Sequence, residues 1–419
     1  MTDNLHYQLN KCRLCGSSDL SNVISLSPTP AGNNFLTEFE KSQNDEPVFP
    51  LDVNFCGECF HLQLGHIVDP DHLFKNYHFV SGTSKVNINH FDHYAEKVIS
   101  RFNLKEGSLI LDVGSNDGTC LRSFQKRGMK VLGVDPADNV AEIANKNGIE
   151  TIADYFNQDL AKYIRENYGV PSLITSHNVL AHVEDFLGVM NAIKTLMDDE
   201  SIFIFEVGYF YDVYDNLWFD TIYHEHLDYH TVSPLKDFFD INEMNLFDVE
   251  RVDIQGGSIR NFVQLKNGSR KIEPSIDELI KLESAKGLHQ AQGIMNYQSR
   301  IDDIKGELIK MLKDIKESGH SIAGYGAPTK STTLMNHFEL GNHLIDYIID
   351  DNELKQNKYS PLLHIPIVSK KELKKDSKPD FLIILAWNFA ESIIDKVKNE
   401  GNFEGSYIIP LPKPIILKD

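Results

Sequence analysis

Short apolar runs alternate with helical patterns through the middle of the chain. Five of these runs have the length and composition of strands, and they lie at residues 108–114, 130–136, 171–176, 201–207 and 262–265. A helical pattern separates the first two runs. Strands that alternate with helices join through right-handed crossovers into a doubly wound, mostly parallel sheet. The pattern therefore predicts an α/β fold of Rossmann-like type for this part of the chain.

A second series of similar runs follows in the C-terminal third. From residue 274 to 316 the apolar positions recur at helical spacing, which predicts a helical connector with a solvated charged face. Strand-like runs then occur at 321–326, 344–351 and 381–385, and the first of them ends in the glycine-rich turn 324–327. Because the order of strand, turn and helix repeats that of the middle segment, we expect a second Rossmann-like domain at the C-terminus.

Composition and charge exclude several classes of protein. The 419 residues are 41% hydrophobic and 24% charged, which suits two to four globular domains and excludes a low-complexity chain. No run reaches the ~18–20 apolar residues of a membrane span, and residues 1–5 do not resemble a secretory signal. We therefore expect a cytoplasmic protein without membrane contact. A net charge of −20 disfavours nucleic-acid partners, although a local basic pocket can still bind a small anion.

Four of the five cysteines fall in two CxxC pairs near the N-terminus. Cys12 and Cys15 form the first pair, Cys56 and Cys59 form the second, and a glycine beside each pair allows a tight knuckle. Four thiolates on two knuckles make a closed tetrahedral zinc site with a structural role. Redox motifs and scattered buried thiols are the alternatives, but neither pair opens a thioredoxin-like unit. The fifth cysteine, Cys120, is predicted to pack in the core.

The first strand of the middle segment ends in a turn of the form D-x-G-x-x-x-G, which contains Gly114, Asn116 and Asp117. The second strand ends at Asp135 and Pro136, where Rossmann-like folds carry the acid that binds ribose hydroxyls. The turn lacks the three glycines that seat a pyrophosphate, so the pattern favours S-adenosylmethionine (SAM) over NAD. A glycine-rich turn of purely structural value is the alternative.

The densest group of titratable side chains lies at residues 223–230, with Tyr223, Glu225 and His226 at its start. Imidazoles change charge near neutral pH and phenols donate to developing oxyanions, so this group suits proton transfer. A metal site is one alternative, because His226 and His230 have helical spacing, although they lack the glutamate of an H-E-x-x-H motif. A histidine-rich surface loop is the other.

Together these motifs resemble the SAM-dependent nucleotide-sugar C-methyltransferases, a family that methylates C3 of 4-keto deoxysugar nucleotides. The resemblance covers nearly the whole chain in the family's order. It rests on the two CxxC pairs and on segments 77–84, 112–118, 178–182, 223–226, 256–260 and 323–330. It implies three parts: a zinc-binding domain at 1–75, a SAM-binding methyltransferase domain at 76–270, and a helical connector with a sugar-nucleotide-binding domain at 271–419.

The resemblance also implies roles for individual residues. His226 is expected to be the base, Glu225 to orient the site, and Tyr223, His182 and Tyr77 to stabilise an enolate or donate protons. The expected SAM contacts are Ser84, Gly114, Asn116, Asp117, Asp135, Pro136 and Asn178. The expected contacts of the nucleotide sugar are Arg260, Tyr325, Gly326 and Lys330. The expected zinc ligands are Cys12, Cys15, Cys56 and Cys59.

The expected activity is SAM-dependent methylation of C3 in a nucleoside-diphosphate 4-keto deoxysugar, for branched-chain sugar biosynthesis, by a monomer or dimer. An NAD-dependent sugar-nucleotide epimerase or dehydrogenase is the rival enzyme, and it would require a dinucleotide glycine motif. A zinc-ribbon interaction protein without catalysis is the rival from another class, and it predicts no SAM binding. Methylation of oxygen or nitrogen needs no base for a carbon acid, so the cluster at 223–226 weighs against it.

Overall fold

The computed structural model describes residues 5–43, 46–74, 81–254, 256–374, 378–400 and 403–418, and the strands of these residues form four sheets. Two small antiparallel sheets are built mostly from the N-terminal part, and two larger sheets follow along the chain. None of the described helices is long and apolar enough to cross a membrane.

The N-terminal part is built on antiparallel strands. Its elements are β1 (His6–Gln8), β2 (Leu20–Thr29), α1 (Glu38–Gln43), β3 (Phe49–Cys56), β4 (Leu62–Leu64), β5 (His66–Val68) and α2 (Pro70–Phe74). Strand β1 pairs with β5, while β2, β3 and β4 pair in sequence. Along most of β3 every second residue is buried, which is the pattern of a sheet with one covered face.

The middle part holds a seven-stranded sheet with helices around it. Its elements are α3 (Lys85–Phe102), β6 (Leu109–Val113), α4 (Thr119–Gln125), β7 (Lys130–Asp135), α5 (Asp138–Lys146), β8 (Thr151–Ala153), α6 (Gln158–Tyr168), β9 (Leu173–His177), α7 (Phe186–Leu196), β10 (Ile202–Gly208), α8 (Phe210–Asp215), β11 (Asp228–Tyr229), α9 (Val232–Ile241), β12 (Met244–Val252) and β13 (Ser258–Leu265). The strand order is β12-β13-β10-β9-β6-β7-β8.

The predicted doubly wound α/β fold is confirmed. Strands β8, β7, β6, β9 and β10 are parallel, and the chain reverses its direction of travel across the sheet between β6 and β9. That reversal opens a crevice at the carboxyl ends of these two strands, which is where ligands of such sheets bind. The run at 262–265 is the end of the longer strand β13, which is antiparallel to both of its neighbours.

The C-terminal part repeats the architecture on a smaller scale. Its elements are α10 (Ser275–Ala285), α11 (Ala291–Glu317), β14 (Ile322–Tyr325), α12 (Thr329–His337), β15 (Ile348–Ile349), β16 (Ile367–Val368), β17 (Phe381–Ile384), α13 (Ala390–Asn399), β18 (Ser406–Ile409) and β19 (Ile415–Leu417). The order is β16-β15-β14-β17-β18-β19, parallel except for β19. The predicted helical connector and second sheet domain are therefore present.

The N-terminal part is fused to the other two by packing and by strand pairing. One hydrophobic core includes Leu51 of β3, Tyr297 of α11 and Ile348 of β15. Strand β11 belongs to the N-terminal sheet, because Asp228 pairs with Gln63 of β4. The sequence did not predict this exchange, since a two-residue strand leaves no periodic signal.

Candidate active site

The four cysteines of the two CxxC pairs lie together. Their sulfurs are within 4.8 Å of one another, with 3.5 Å between Cys12 and Cys59 and 3.6 Å between Cys15 and Cys56. These separations are too long for disulfides and suit four thiolates around one tetrahedral zinc ion with bonds of about 2.3 Å. The hydrogen bond from the Cys59 thiol lowers the pKa of Cys12, which favours the thiolate that zinc requires. The four cysteines therefore fit a structural zinc ion, and Cys120 is buried in the middle part as predicted.

The glycine-rich turn of the middle part lies at the carboxyl end of β6. Gly114 has a φ of +77°, and a Cβ at this position would lie 2.2 Å from Val179 Cγ2, so glycine is required. At the end of β7, the Asp135 carboxylate accepts hydrogen bonds from the backbone N–H groups of Asn116 at 2.8 Å and Ala137 at 3.0 Å. These bonds hold the turn against the acid that is expected to bind ribose.

The segment before α3 closes over the same turn. The Ser81 N–H donates to Asn116 Oδ1 at 2.9 Å, and the Gly82 N–H donates to Asp117 Oδ2 at 3.1 Å. Both acceptors are buried side chains of the turn. The described end of segment 77–84 therefore lies where a cap over the cofactor is expected.

The remaining predicted SAM residues flank this turn. Asn178 directly follows β9, is exposed and has a φ of +55°. Pro136 is exposed after the end of β7, and Ser84 caps the N-terminus of α3. Tyr77, predicted as a catalytic residue, lies outside the described residues. The other predicted SAM contacts meet around the crevice of the parallel sheet.

A turn over residues 221–227 brings Tyr223 and His226 into contact. The Tyr223 hydroxyl lies 2.8 Å from His226 Nε2, and His226 Nδ1 lies 2.9 Å from the carbonyl oxygen of Thr221. A carbonyl can only accept, so Nδ1 carries the proton and Nε2 accepts from Tyr223. The ring of His182 packs edge-on against that of His226, with 4.9 Å between centroids. Three predicted catalytic residues are thus adjacent.

Burial sets the charges of this group. It lowers the pKa of His226 to about 4 and the pKa of His182 to about 3, so both imidazoles are neutral at pH 7. Burial acts in the opposite direction on the Glu225 carboxyl and raises its pKa to about 7. The Glu225 carboxyl also accepts a hydrogen bond from Asn33 Nδ2 at 3.2 Å. The site therefore combines two neutral imidazoles with a carboxyl group that titrates near neutral pH.

The structure disagrees with both alternative interpretations of residues 223–230. His224 and His230 are each 1% exposed, so the cluster is not a surface loop. His226 and His230 do not share a helical face, because strand β11 lies between them. In the described parts of the chain, the groups with metal-ligand geometry are the four cysteines and the trio His90, His177 and Glu206.

That trio belongs to an ion-pair network on the seven-stranded sheet. Glu206 lies 2.7 Å from His90 Nε2, 3.2 Å from His177 Nδ1 and 2.7 Å from Arg260 Nε. The Arg260 guanidinium also lies 4.7 Å over the ring of Tyr94. Its positive charge on the shared carboxylate opposes a metal ion at this place. Arg260, predicted to contact substrate, is thus on a different sheet from the other predicted sugar contacts.

Lys330 is half-buried near the turn at residues 221–227. Its Nζ lies 4.1 Å from the centroid of the Trp387 ring, and Trp387 Nε1 donates to Asp220 Oδ2 at 2.7 Å. Burial lowers the pKa of Lys330, and the charge of Asp220 partly opposes this shift. Because Asp220 precedes Tyr223 closely in sequence, the C-terminal domain places a cation near the turn that carries Tyr223 and His226.

Two backbone N–H groups of the glycine-rich turn 324–327 already form hydrogen bonds within the C-terminal domain. The Ala327 N–H donates to Asp350 Oδ2 at 2.6 Å, and the Gly326 N–H donates to strand β15 at 2.7 Å. Tyr325 is buried within β14. A second cation, Lys355, donates to the Ala327 carbonyl at 2.7 Å, and burial lowers its pKa. Two lysines, rather than the backbone N–H groups of Gly326 and Ala327, are therefore the positive groups around this turn.

Four residues of this region were missed by sequence reasoning, namely Asn33, Asp220, Lys355 and Trp387. Asn33 belongs to the loop 31–34, which α12 holds through a 2.9 Å bond from the Thr332 hydroxyl to the Gly32 carbonyl. These residues stand alone in segments without a motif. The position of Trp387 just after β17 was the one available signal, because strand ends face the ligand edge.

Three family models match successive segments of the chain. Residues 12–74 match a model described as "Putative zinc binding domain", residues 88–244 match "Methyltransferase domain", and residues 253–412 match "C-methyltransferase C-terminal domain". The C-methyltransferase NovU of Streptomyces niveus is 32% identical over 409 residues, which cover 98% of this chain and 97% of that protein.

Other similarities are confined to part of the chain. A ubiquinone biosynthesis O-methyltransferase of Vibrio parahaemolyticus is 30% identical over 93 residues, 22% of this chain and 40% of that protein. Among solved structures, the PH0226 protein of Pyrococcus horikoshii covers 47% of this chain and 98% of its own at 12% identity and a TM-score of 0.36. The plantazolicin methyltransferase BpumL in complex with SAH covers 43% and 90% at 15% identity and a TM-score of 0.34.

The four-cysteine site predicts one zinc ion per chain. The Cys15→Ala variant is expected to lose the ion, because three thiolates leave the tetrahedral shell open. Zinc released by an organomercurial is measured with a chromogenic chelator. Cys120→Ala is the matched control and should keep one zinc ion. If Cys15→Ala kept one zinc ion per chain and lost it to the chelator no faster than the wild-type protein, Cys15 would not be a zinc ligand.

The turn at Gly114 predicts a strong effect of a single methyl group on SAM binding. Gly114→Ala should weaken SAM binding at least about tenfold, because alanine is strained at this φ and its Cβ displaces Val179. Calorimetric titration with SAM measures the effect. Gly148→Ala is the control, since Gly148 has a φ of +79° but no atom within 4 Å of the added Cβ. Equal SAM affinity in the two variants would refute the role of this turn.

The raised pKa of Glu225 predicts a pH-dependent gain of stability in Glu225→Gln. The folded carboxyl titrates at about 7 and its ordinary value is 4.5, so the wild-type protein loses stability as pH rises between these values. The loss is on the order of 3 kcal/mol. The Tm of the variant should therefore exceed the wild-type Tm more at pH 8 than at pH 5. The exposed Glu307→Gln serves as control, and an unchanging Tm difference for Glu225→Gln would argue against burial of the charge.

Proposed function

The chain belongs to the SAM-dependent C-methyltransferase family that includes NovU, and we propose that it methylates C3 of a 4-keto deoxysugar carried on a nucleoside diphosphate. The contact of Tyr223 with the unprotonated Nε2 of His226 is the observation that supports this most directly. Methylation at carbon first requires removal of a proton from carbon. A ketone beside that carbon acidifies the proton and provides an oxygen to bear the negative charge.

In the proposed reaction, His226 Nε2 accepts the proton from C3 while the electron pair of the C–H bond moves into the enolate of the C4 ketone. The Nδ1–H of His226 stays on the Thr221 carbonyl, so the ring keeps its orientation. When bound, SAM supplies an electrophilic methyl group that C3 takes while sulfur keeps the electron pair. The residues expected to hold SAM are those around Gly114, Asp135 and Asn178.

The electrostatics of the site account for the other residues. A pKa of about 4 leaves His226 unprotonated at neutral pH but makes it a weak base, so proton removal depends on stabilisation of the enolate oxygen. In the proposed reaction the Tyr223 hydroxyl turns its hydrogen bond from Nε2 to that oxygen as C3–H approaches Nε2. His182 lies against the same ring. Glu225 and Asn33 form a polar pair that suits sugar hydroxyls.

The positions of Lys330 and Lys355 support a substrate that carries an anionic group. Both cations are half-buried near the glycine-rich turn of the C-terminal domain, and neither forms an ion pair with a described carboxylate within 4.0 Å. A diphosphate would supply the missing negative charge within a chain whose net charge is −20. Five cysteines, four of them assigned to zinc, are too few for a disulfide scaffold, which suits a reducing compartment, so we place the enzyme in the cytoplasm.

A panel of 4-keto sugars tests the substrate class. The enzyme is incubated with SAM and with dTDP-, CDP- or GDP-linked 4-keto deoxysugars, and the products are examined by mass spectrometry and NMR. At least one should gain a methyl carbon at C3. A methyl group found only on oxygen would overturn the carbon acceptor, and no reaction with any member would overturn the substrate class.

The role of His226 is tested by isotope exchange at C3. His226→Asn should slow the exchange of the C3 proton with deuterated solvent about 10²–10⁴-fold, with SAM affinity retained. His343→Asn, an exposed histidine of the C-terminal domain, is the matched control and should exchange at the wild-type rate. Wild-type exchange in His226→Asn would eliminate this residue as the base.

A further inference from the structure

One side chain of the first CxxC pair contacts the methyltransferase domain. Arg13 lies between Cys12 and Cys15, and its side chain is 5% exposed. Its Nε lies 2.9 Å from Asp228 Oδ1, and its terminal nitrogen lies 3.2 Å from Asp228 Oδ2. The same terminal nitrogen donates to the carbonyl oxygen of Val183. One guanidinium therefore binds two distant segments of the middle part.

Both segments carry a histidine of the candidate active site. Val183 directly follows His182, and Asp228 lies two residues after His226. The segments also contact each other directly, because the Leu227 N–H donates to the Ala181 carbonyl at 2.7 Å. Arg13 binds Val183 and Asp228, the residues that flank this contact. A shift of Arg13 would therefore change the distance between the imidazoles of His182 and His226.

The second knuckle supports the same carboxylate. His61 follows Cys59 closely in sequence, and its Nε2 lies 2.9 Å from Asp228 Oδ1. The side chain of Asp228 is fully buried. The Arg13 backbone is held as well, because its N–H donates to Gln63 Oε1 at 2.8 Å. Each CxxC pair thus contributes one neighbouring side chain to the carboxylate behind the catalytic turn.

We propose that Arg13 is a positioning residue for methyl transfer, which fixes the mutual placement of His182 and His226 from the zinc knuckle. The proposal rests on the catalytic roles given to these histidines above. Arginine suits the task because its planar fork binds a carboxylate through two nitrogens while it also donates to a carbonyl. A lysine can neutralise Asp228, but its single ammonium group cannot reproduce the fork. In this view the zinc domain is part of the active-site scaffold.

The test compares Arg13→Lys and Arg13→Gln with the wild-type protein and with Arg165→Gln. Arg165 also donates to backbone carbonyls, those of Thr195 and Met197, but it lies on α6 away from the site. Zinc content and SAM affinity are expected to stay within about twofold in all variants. In Arg13→Gln, kcat should fall about 10²-fold, the effect of a misplacement of about 1 Å, with a smaller change in KM. Arg13→Lys should be intermediate.

A second measurement does not depend on the substrate. In protein labelled with ¹⁵N-histidine, long-range NMR correlations report which ring nitrogen of His226 carries the proton, with His226→Asn identifying the signal. The wild-type protein should show Nδ1–H alone, and Arg13→Gln should show a mixture of tautomers. This result holds whether or not any nucleotide sugar is turned over, so failure of the substrate proposal is distinguishable from failure of this one.

The double variant Arg13→Gln/Asp228→Asn removes the buried unpaired charge that could prevent Arg13→Gln from folding. The neutral pair should restore folding and zinc content but not kcat or the single tautomer. Full recovery of kcat in the double variant would overturn the proposal, because neutrality alone would then suffice. Unchanged kcat and tautomer in Arg13→Gln would overturn it too, as would a loss of kcat that only parallels a loss of zinc.

Discussion

The buried ion pair between Arg13 and Asp228 joins the N-terminal knuckles to the middle part of the chain, directly beside the candidate active site. Two charges removed from water are stabilising only when their remaining hydrogen-bonding groups are satisfied. Here His61 and the Val183 carbonyl provide the additional partners. Removal of one member of such a pair costs about 3–5 kcal/mol. The pair therefore ties the zinc knuckles to the catalytic turn strongly, and β11 completes the N-terminal sheet at the same point.

Burial of the histidine site determines the protonation states of its side chains. Low polarity around the catalytic turn keeps His226 and His182 neutral and raises the pKa of Glu225 into the neutral range. Neutral imidazoles are proton acceptors, and an electrostatic interaction with a developing oxyanion is stronger where water is excluded.

Three parts of the chain contribute to one site. The parallel sheet presents the turn at Gly114 at its carboxyl edge, and the turn at residues 221–227 follows α8. The C-terminal helix α12 holds both the loop 31–34 and the catalytic turn, since Thr333 donates to the Ile222 carbonyl at 2.9 Å. Lys330 and Trp387 then meet Asp220 at this junction. One hydrophobic cluster contains residues of all three parts and packs them against one another at this junction.

The sequence by itself determined the elements whose signals are local. Apolar periodicity located the parallel strands and the long connector helix, and the spacing of the cysteines indicated the zinc site before any contact was known. Glycine at position 114 was informative because its backbone conformation is a local property. The motif at 223–226 likewise marked the catalytic turn, though the roles of its residues stay predictions.

Tertiary structure alone decided which distant residues share the site. The partnership of Arg13 with Asp228, of Asn33 with Glu225 and of Trp387 with Asp220 joins positions separated by well over a hundred residues. Single polar side chains leave no periodic trace, because their placement depends on how three sheets pack and not on the local chain. For the same reason, only the folded chain shows that Nε2 is the unprotonated nitrogen of His226, since its tautomer is set by the Thr221 carbonyl and by burial.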